Sequence, residues 1–193
     1  KEALSRLIDI EQDFYGLVFC MTKIQTDEVA QWLIEHGYAA EGMHGDIAQS
    51  QREKTLSLFK KRILNILVAT DVAARGIDVK DLTHVINYSL PQDAETYVHR
   101  IGRTGRAGKT GISISLVSPG ESRKFQQVKR IVKKQIQRRK LPEAKDIVNT
   151  RVNQLLNSVN NVIETNGIAH YEEVASQLIA VNEPELIIAA LLK

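Results

Sequence analysis

Short apolar runs alternate with amphipathic segments along the first 120 residues. Five runs predict strands: Leu17–Cys20, Tyr38–Met43, Asn65–Ala69, His84–Tyr88 and Ile112–Val117. Between them, Ile24–His36 sets Val29, Leu33 and Ile34 on one helical face and stops at Gly37. Asp46 reads as the N-cap of a further helix that turns Thr55, Leu56 and Phe59 towards the core. Strands that are apolar on both faces and alternate with helices predict a parallel sheet covered by helices, an α/β layered fold. In such sheets, ligands sit beyond the carboxyl ends of the strands.

After Pro119-Gly120 the pattern is helical only. Phe125, Val128, Ile131, Val132 and Ile136 form one apolar stripe. From Pro142 onward Ile147, Val148, Val152, Leu155, Leu156, Val159, Val162 and Ile163 predict a long amphipathic helix ended by Asn166-Gly167. Val174, Ala175, Leu178 and Ile179 mark another helix, and Pro184 opens a last one that is apolar all round through Leu192. A helical appendage this small has little core of its own. It needs a partner surface, either the preceding domain or a second copy. The boundary is expected near Leu141, giving domains 1–141 and 142–193.

Composition narrows the class. With 43% hydrophobic and 25% charged residues in 193, the chain is ordinary for a globular protein, and disordered or disulfide-scaffold classes fall away. One cysteine, Cys20, cannot pair internally, which suits a reducing, cytoplasmic setting. Five scattered histidines show no ligand spacing, so no metal site is expected. The net charge of +3 hides an asymmetry: residues 121–140 hold nine Lys and Arg against the single Glu121. That segment would attract a polyanion, or it is a solvated helix face.

Four strings carry chemistry. His99-Arg100-Ile101-Gly102-Arg103-Thr104-Gly105-Arg106 crowds three guanidinium groups into a glycine-rich segment, an arrangement an anion would relieve. Ala69-Thr70-Asp71 through Gly76-Ile77-Asp78 puts a hydroxyl and unpaired amides at a strand end, fit for a phosphate or simply for a helix cap. His44-Gly45-Asp46 through Arg52 places Gln49 and Arg52 on one helical face. Leu17 through Lys23 is a buried strand ending in Thr22 and Lys23.

In this order and spacing the four strings resemble the C-terminal RecA-like domain of a DEAD-box RNA helicase, over about residues 1–140. His99 at the head of the arginine string matches the DEAD-box form. The resemblance implies a RecA-like fold and an ATP-dependent RNA helicase as the complete protein, with ATP and Mg2+ bound mainly by an N-terminal RecA-like domain. Arg103 and Arg106 would reach the γ-phosphate, Arg106 as the arginine finger. Asp78 would touch the ribose, and His99 and Arg100 would join the interdomain network. Thr22, Gln49, Arg52, Thr70 and Asp71 would grip single-stranded RNA by its backbone, without reading bases. The tail resembles a dimerisation extension, implying a homodimer. No Walker A loop or Asp-Glu-Ala-Asp box occurs in these residues, since Gly108-Lys109-Thr110 lacks the required upstream glycine. Alone, the chain is expected not to turn over ATP. Rival readings are a non-catalytic RNA-binding and dimerisation module and a DNA-directed superfamily-two helicase.

Overall fold

The computed structural model describes the chain apart from residues 12, 78, 80, 106, 107, 109, 133–135, 166, 167, 192 and 193, and the side chain of residue 169. It divides into two compact units, Lys1–Glu143 and Ala144–Lys193.

The first unit holds β1 (Gly16–Phe19), β2 (Ala40–Met43), β3 (Ile66–Ala69), β4 (His84–Asn87) and β5 (Ile112–Ser115). They form one sheet in the order β2-β3-β1-β4-β5, and every pairing is parallel. The three central strands are buried at every position, as the apolar runs require. Alternate residues serve opposite faces. Leu17, Phe19, Leu67, Ala69 and Val85 pack with Tyr15, Phe59 and Ala73. Val18, Cys20, Ile66, Val68 and Ile86 pack with Leu4, Ile8, Val29 and Leu33. The strands are shorter than the apolar runs; Tyr38, for example, precedes β2 and packs from the side.

Helices α1 (Glu2–Asp9), α2 (Lys23–Glu35), α3 (Gln49–Lys60), α4 (Asp71–Ala74), α5 (Ala94–Ile101) and α6 (Ser122–Ile131) complete this unit. Helix α1 is absent from the sequence expectations; only Leu4 and Ile8 on it are fully buried, too short a stripe to stand out. Helix α2 does end at Gly37, whose φ of +83° is one that L side chains rarely adopt. Asp46 is not the cap of α3: that helix starts at Gln49 with Ala48 in the cap position, and the Asp46 carboxylate takes a hydrogen bond from Lys23 instead. The bond holds its carboxyl below the ordinary range. Thr55 and Phe59 are buried as expected. Beside the sheet, Leu90, Ala94 and Tyr97 meet Val128 and Val132 in a third cluster. The stripe continues through Ile136, although α6 itself stops at Ile131.

The second unit is all helical: α7 (Ala144–Glu164), α8 (Glu172–Val181) and α9 (Pro184–Leu191). None of these three helices has a buried residue. Leu191 on α9 is 80% exposed and Leu186 62%. Within its own unit the described residues of this apolar helix are not buried. No single helix among the described residues is long and apolar enough to cross a membrane.

Candidate functional site

Because all five strands run the same way, their carboxyl ends share one edge, and the chemistry-bearing strings gather there. Thr22 follows β1 and caps α2, its hydroxyl oxygen accepting from the Gln25 amide at 3.1 Å. The neighbouring strand β3 ends in Thr70, which caps α4 through the Ala73 amide at 3.4 Å. In both, the oxygen accepts, so the hydroxyl keeps its proton to donate outward. Thr22 is exposed and Thr70 buried. Helix α3 begins with exposed Gln49, which donates to Glu53 at 2.9 Å. Arg52 reaches across to α4, donating to the Ala73 carbonyl at 2.8 Å and the Arg75 carbonyl at 3.2 Å.

Arg100 is the best-held side chain of this edge. It is 1% exposed. Its Nε and Nη2 donate to the two Asp71 carboxylate oxygens at 2.6 and 2.7 Å. Its Nη1 donates to the Asn87 side-chain oxygen at 3.0 Å and the Ser89 carbonyl at 2.7 Å. The guanidinium carbon also lies 4.9 Å from the centre of the Phe19 ring. Two residues named from the sequence thus meet each other: Asp71, assigned to the RNA backbone, has both carboxylate oxygens engaged by Arg100, and Arg100, assigned to the interdomain network, braces α5 against the strand ends. His99, next along α5, is exposed.

Sequence reasoning missed Asn87, Ser89 and Gln25. The signal for Asn87 was there, a fully buried amide closing an apolar strand. Gln25 receives bonds from the Met21 amide at 3.0 Å and the Ser89 hydroxyl at 2.5 Å, tying the loops after β1 and β4 together. No local pattern announces such a bond. Cys20 lies in this layer but is chemically quiet, since burial pushes its thiol up to about 12.

Beyond α5, Arg103 and Thr104 are tied to Ile77, Leu82 and Thr83. Arg103 donates to the Ile77 carbonyl at 3.1 Å. The Thr104 hydroxyl donates to the carbonyls of Leu82 and Thr83. Gly111 closes the segment, because a Cβ there would fall 2.3 Å from the Gly105 nitrogen. Any side chain at 111 would push the arginine segment away. Arg106 and Asp78 lie outside the described residues. Among the described residues no three His, Cys, Asp or Glu side chains gather as a metal site would require.

Residues 1–108 match the family model described as helicase conserved C-terminal domain. Residues 142–193 match that of the RNA helicase DeaD dimerization domain. The DEAD-box ATP-dependent RNA helicase CshA of Geobacillus kaustophilus is 43% identical over 192 residues, all of this chain and 41% of that protein. The Bacillus subtilis CshA is 39% identical over 192 residues, 39% of its length. The chain thus spans about two fifths of these relatives. Among solved structures, a DEAD box protein from Methanococcus jannaschii superposes with a TM-score of 0.67 at 53% identity, over 72% of this chain and 38% of that one. The E. coli DEAD-box protein SrmB, solved bound to regulator of ribonuclease activity A, gives 0.67 at 37% identity, over 72% and 82%.

Proposed function

The chain belongs to the helicase conserved C-terminal domain family, as the C-terminal part of a bacterial DEAD-box helicase, and from that premise we propose that its complete protein unwinds RNA locally at the expense of ATP. The observation that carries this reading is the Arg100 brace. It joins the edge where Thr22 and Thr70 present their hydroxyls to the helix that leads into Arg103 and Arg106. A shift at either place is therefore felt at the other.

In this mechanism the exposed Thr22 hydroxyl, Gln49, Arg52 and Thr70 hold the sugar-phosphate backbone of single-stranded RNA. Donors to phosphate carry no base information, so little sequence preference follows. Of these four groups Arg52 also holds α4 through two carbonyls, and so couples the RNA edge to the segment before Asp78. Asp78 accepts from the nucleotide's ribose, and His99 faces the partner lobe. ATP arrives with Mg2+ on an N-terminal RecA-like lobe of the same protein. Closure of the two lobes brings Arg103 and Arg106 to the γ-phosphate, where permanent positive charge stabilises the transferring group. A backbone held in a bent path no longer fits a duplex, and hydrolysis reopens the cleft. Comparing RNA- and DNA-stimulated ATP turnover of the complete protein tests the assignment. Stimulation by RNA well above that by DNA is expected; equal stimulation contradicts an RNA-directed enzyme.

The second unit would pair with its copy. Its match to a dimerization family and its exposed Leu186, Ile188 and Leu191 support this. An apolar face of this kind suits a two-fold interface. In sedimentation the 21.7 kDa chain is expected to run as a dimer at tens of micromolar (about the range in which micromolar association is saturated). A monomer there would refute the pairing.

A further inference from the structure

Helix α6 and the segment after it are not used by the mechanism above, yet they hold the strongest charge concentration in the chain. Residues 121–140 carry nine basic residues and one acid. Among the described residues that acid pairs with none of them: Glu121 sits in a capping box, accepting from the Ser118 amide at 3.1 Å and the Ser118 hydroxyl at 2.6 Å. Among the described residues, Arg123, Lys129, Arg130, Arg138, Arg139 and Lys140 are all exposed, and no salt bridge includes any of them. Elsewhere in the same unit Arg6, Lys23, Arg62 and Arg100 each have a carboxylate partner. Six unpaired cations on one short segment repel one another, and a bound polyanion removes that cost.

The geometry of α6 fits a strip. Phe125 and Val128 turn inward to the cluster with Leu90 and Tyr97. The opposite face then carries Arg123 and Arg130, two turns apart or roughly 10 Å along the axis, with the amides of Gln126 and Gln127 between them. Helix α6 follows the carboxyl end of β5, and Lys124 donates to the Leu90 carbonyl at 3.3 Å, one residue beyond the Ser89 carbonyl that receives Arg100.

We infer that Arg123, Lys129, Arg130 and the Arg138-Arg139-Lys140 run form a second RNA-backbone surface, on the helix that follows β5 at the end of the same sheet. The inference rests on the RNA-directed reading above. An RNA strand held at the ends of β1 and β3 and running on past β4 and β5 would meet the strip. Membrane insertion is disfavoured by composition: on α6 only Ile131, 60% exposed, offers an apolar side chain outward, whereas an interfacial helix needs an apolar face. The strip lends length-dependent affinity with no base preference, because guanidinium and ammonium groups meet phosphates alone.

The test uses the complete protein with Arg123→Gln, Lys129→Gln and Arg130→Gln combined, titrated with a labelled single-stranded RNA of mixed sequence over a series of salt concentrations. Three lost phosphate contacts are expected to make the slope of log affinity against log salt shallower by about 2, at about 0.7 per single-strand contact. RNA-independent ATP turnover stays unchanged. The charge-preserving set Arg123→Lys, Lys129→Arg and Arg130→Lys keeps the original slope, which separates charge from folding. An unmoved slope in the glutamine variant overturns the inference while leaving the RNA-directed reading intact. Absence of RNA binding by the unaltered protein overturns both. Loss of binding to phosphatidylserine vesicles with an unmoved RNA slope assigns the strip to a membrane and likewise overturns it.

Discussion

Replacing Asp71 with alanine is expected to lower the melting temperature of the chain by about 6–12 °C. Arg100 is buried to 1% exposure and spends two of its nitrogens on the Asp71 carboxylate. Removing the carboxylate leaves a permanent cation in the interior with the Asn87 amide oxygen, the Ser89 carbonyl and the Phe19 ring, and no negative partner among the described residues. Breaking a buried pair by deleting one partner typically costs about 3–5 kcal/mol. Each kcal/mol is worth roughly 2–4 °C in a chain of this size. Asp71 is itself half-buried, and water entering its place will recover part of the loss, so the low end of the range is the figure expected. Asp71→Asn, which keeps one acceptor, falls between the wild type and Asp71→Ala. Circular-dichroism melts of the three chains check the series. A melting temperature within about 2 °C of the wild type for Asp71→Ala, less than about 1 kcal/mol on the same scale, would show that the pair does not brace the edge.

That pair also shows where reading the sequence stops. The strands were legible because burial on both faces leaves continuous apolar runs such as Ile66–Ala69, and the helix of residues 23–35 because its apolar spacing ends at a glycine. The α/β class followed from those two signals. Asp71 and Arg100, by contrast, are 29 residues apart and meet only after β3 and β4 are set on either side of β1. The family resemblance assigned Asp71 to the RNA backbone and Arg100 to the interdomain network; in the fold they also satisfy each other. Asp46 failed for a similar reason, since its partner Lys23 comes from the start of a helix 23 residues earlier. In the tail the apolar spacing gave the helices, but spacing says nothing about what covers Leu186 or Leu191.

The arginine segment carries the largest effect. The loop between α5 and β5 is held at Arg103 by the Ile77 carbonyl and at Thr104 by Leu82 and Thr83. An arginine finger adds positive charge where negative charge spreads over the transferring phosphoryl oxygens, and is worth about 10³–10⁵ in rate. In the proposed mechanism it would do little for the ground state, in which the other lobe and Mg2+ would hold the triphosphate, so binding and turnover would separate cleanly. Lysine at 106 would restore only part of the rate, because a point charge lacks the planar two-pronged donor set. The decisive measurement is therefore ATP turnover at saturating RNA, beside ATP affinity, in the complete protein carrying Arg106→Ala. The account predicts a fall in kcat of at least about 10³-fold with ATP binding nearly unchanged; turnover equal to that of the unaltered protein would contradict it.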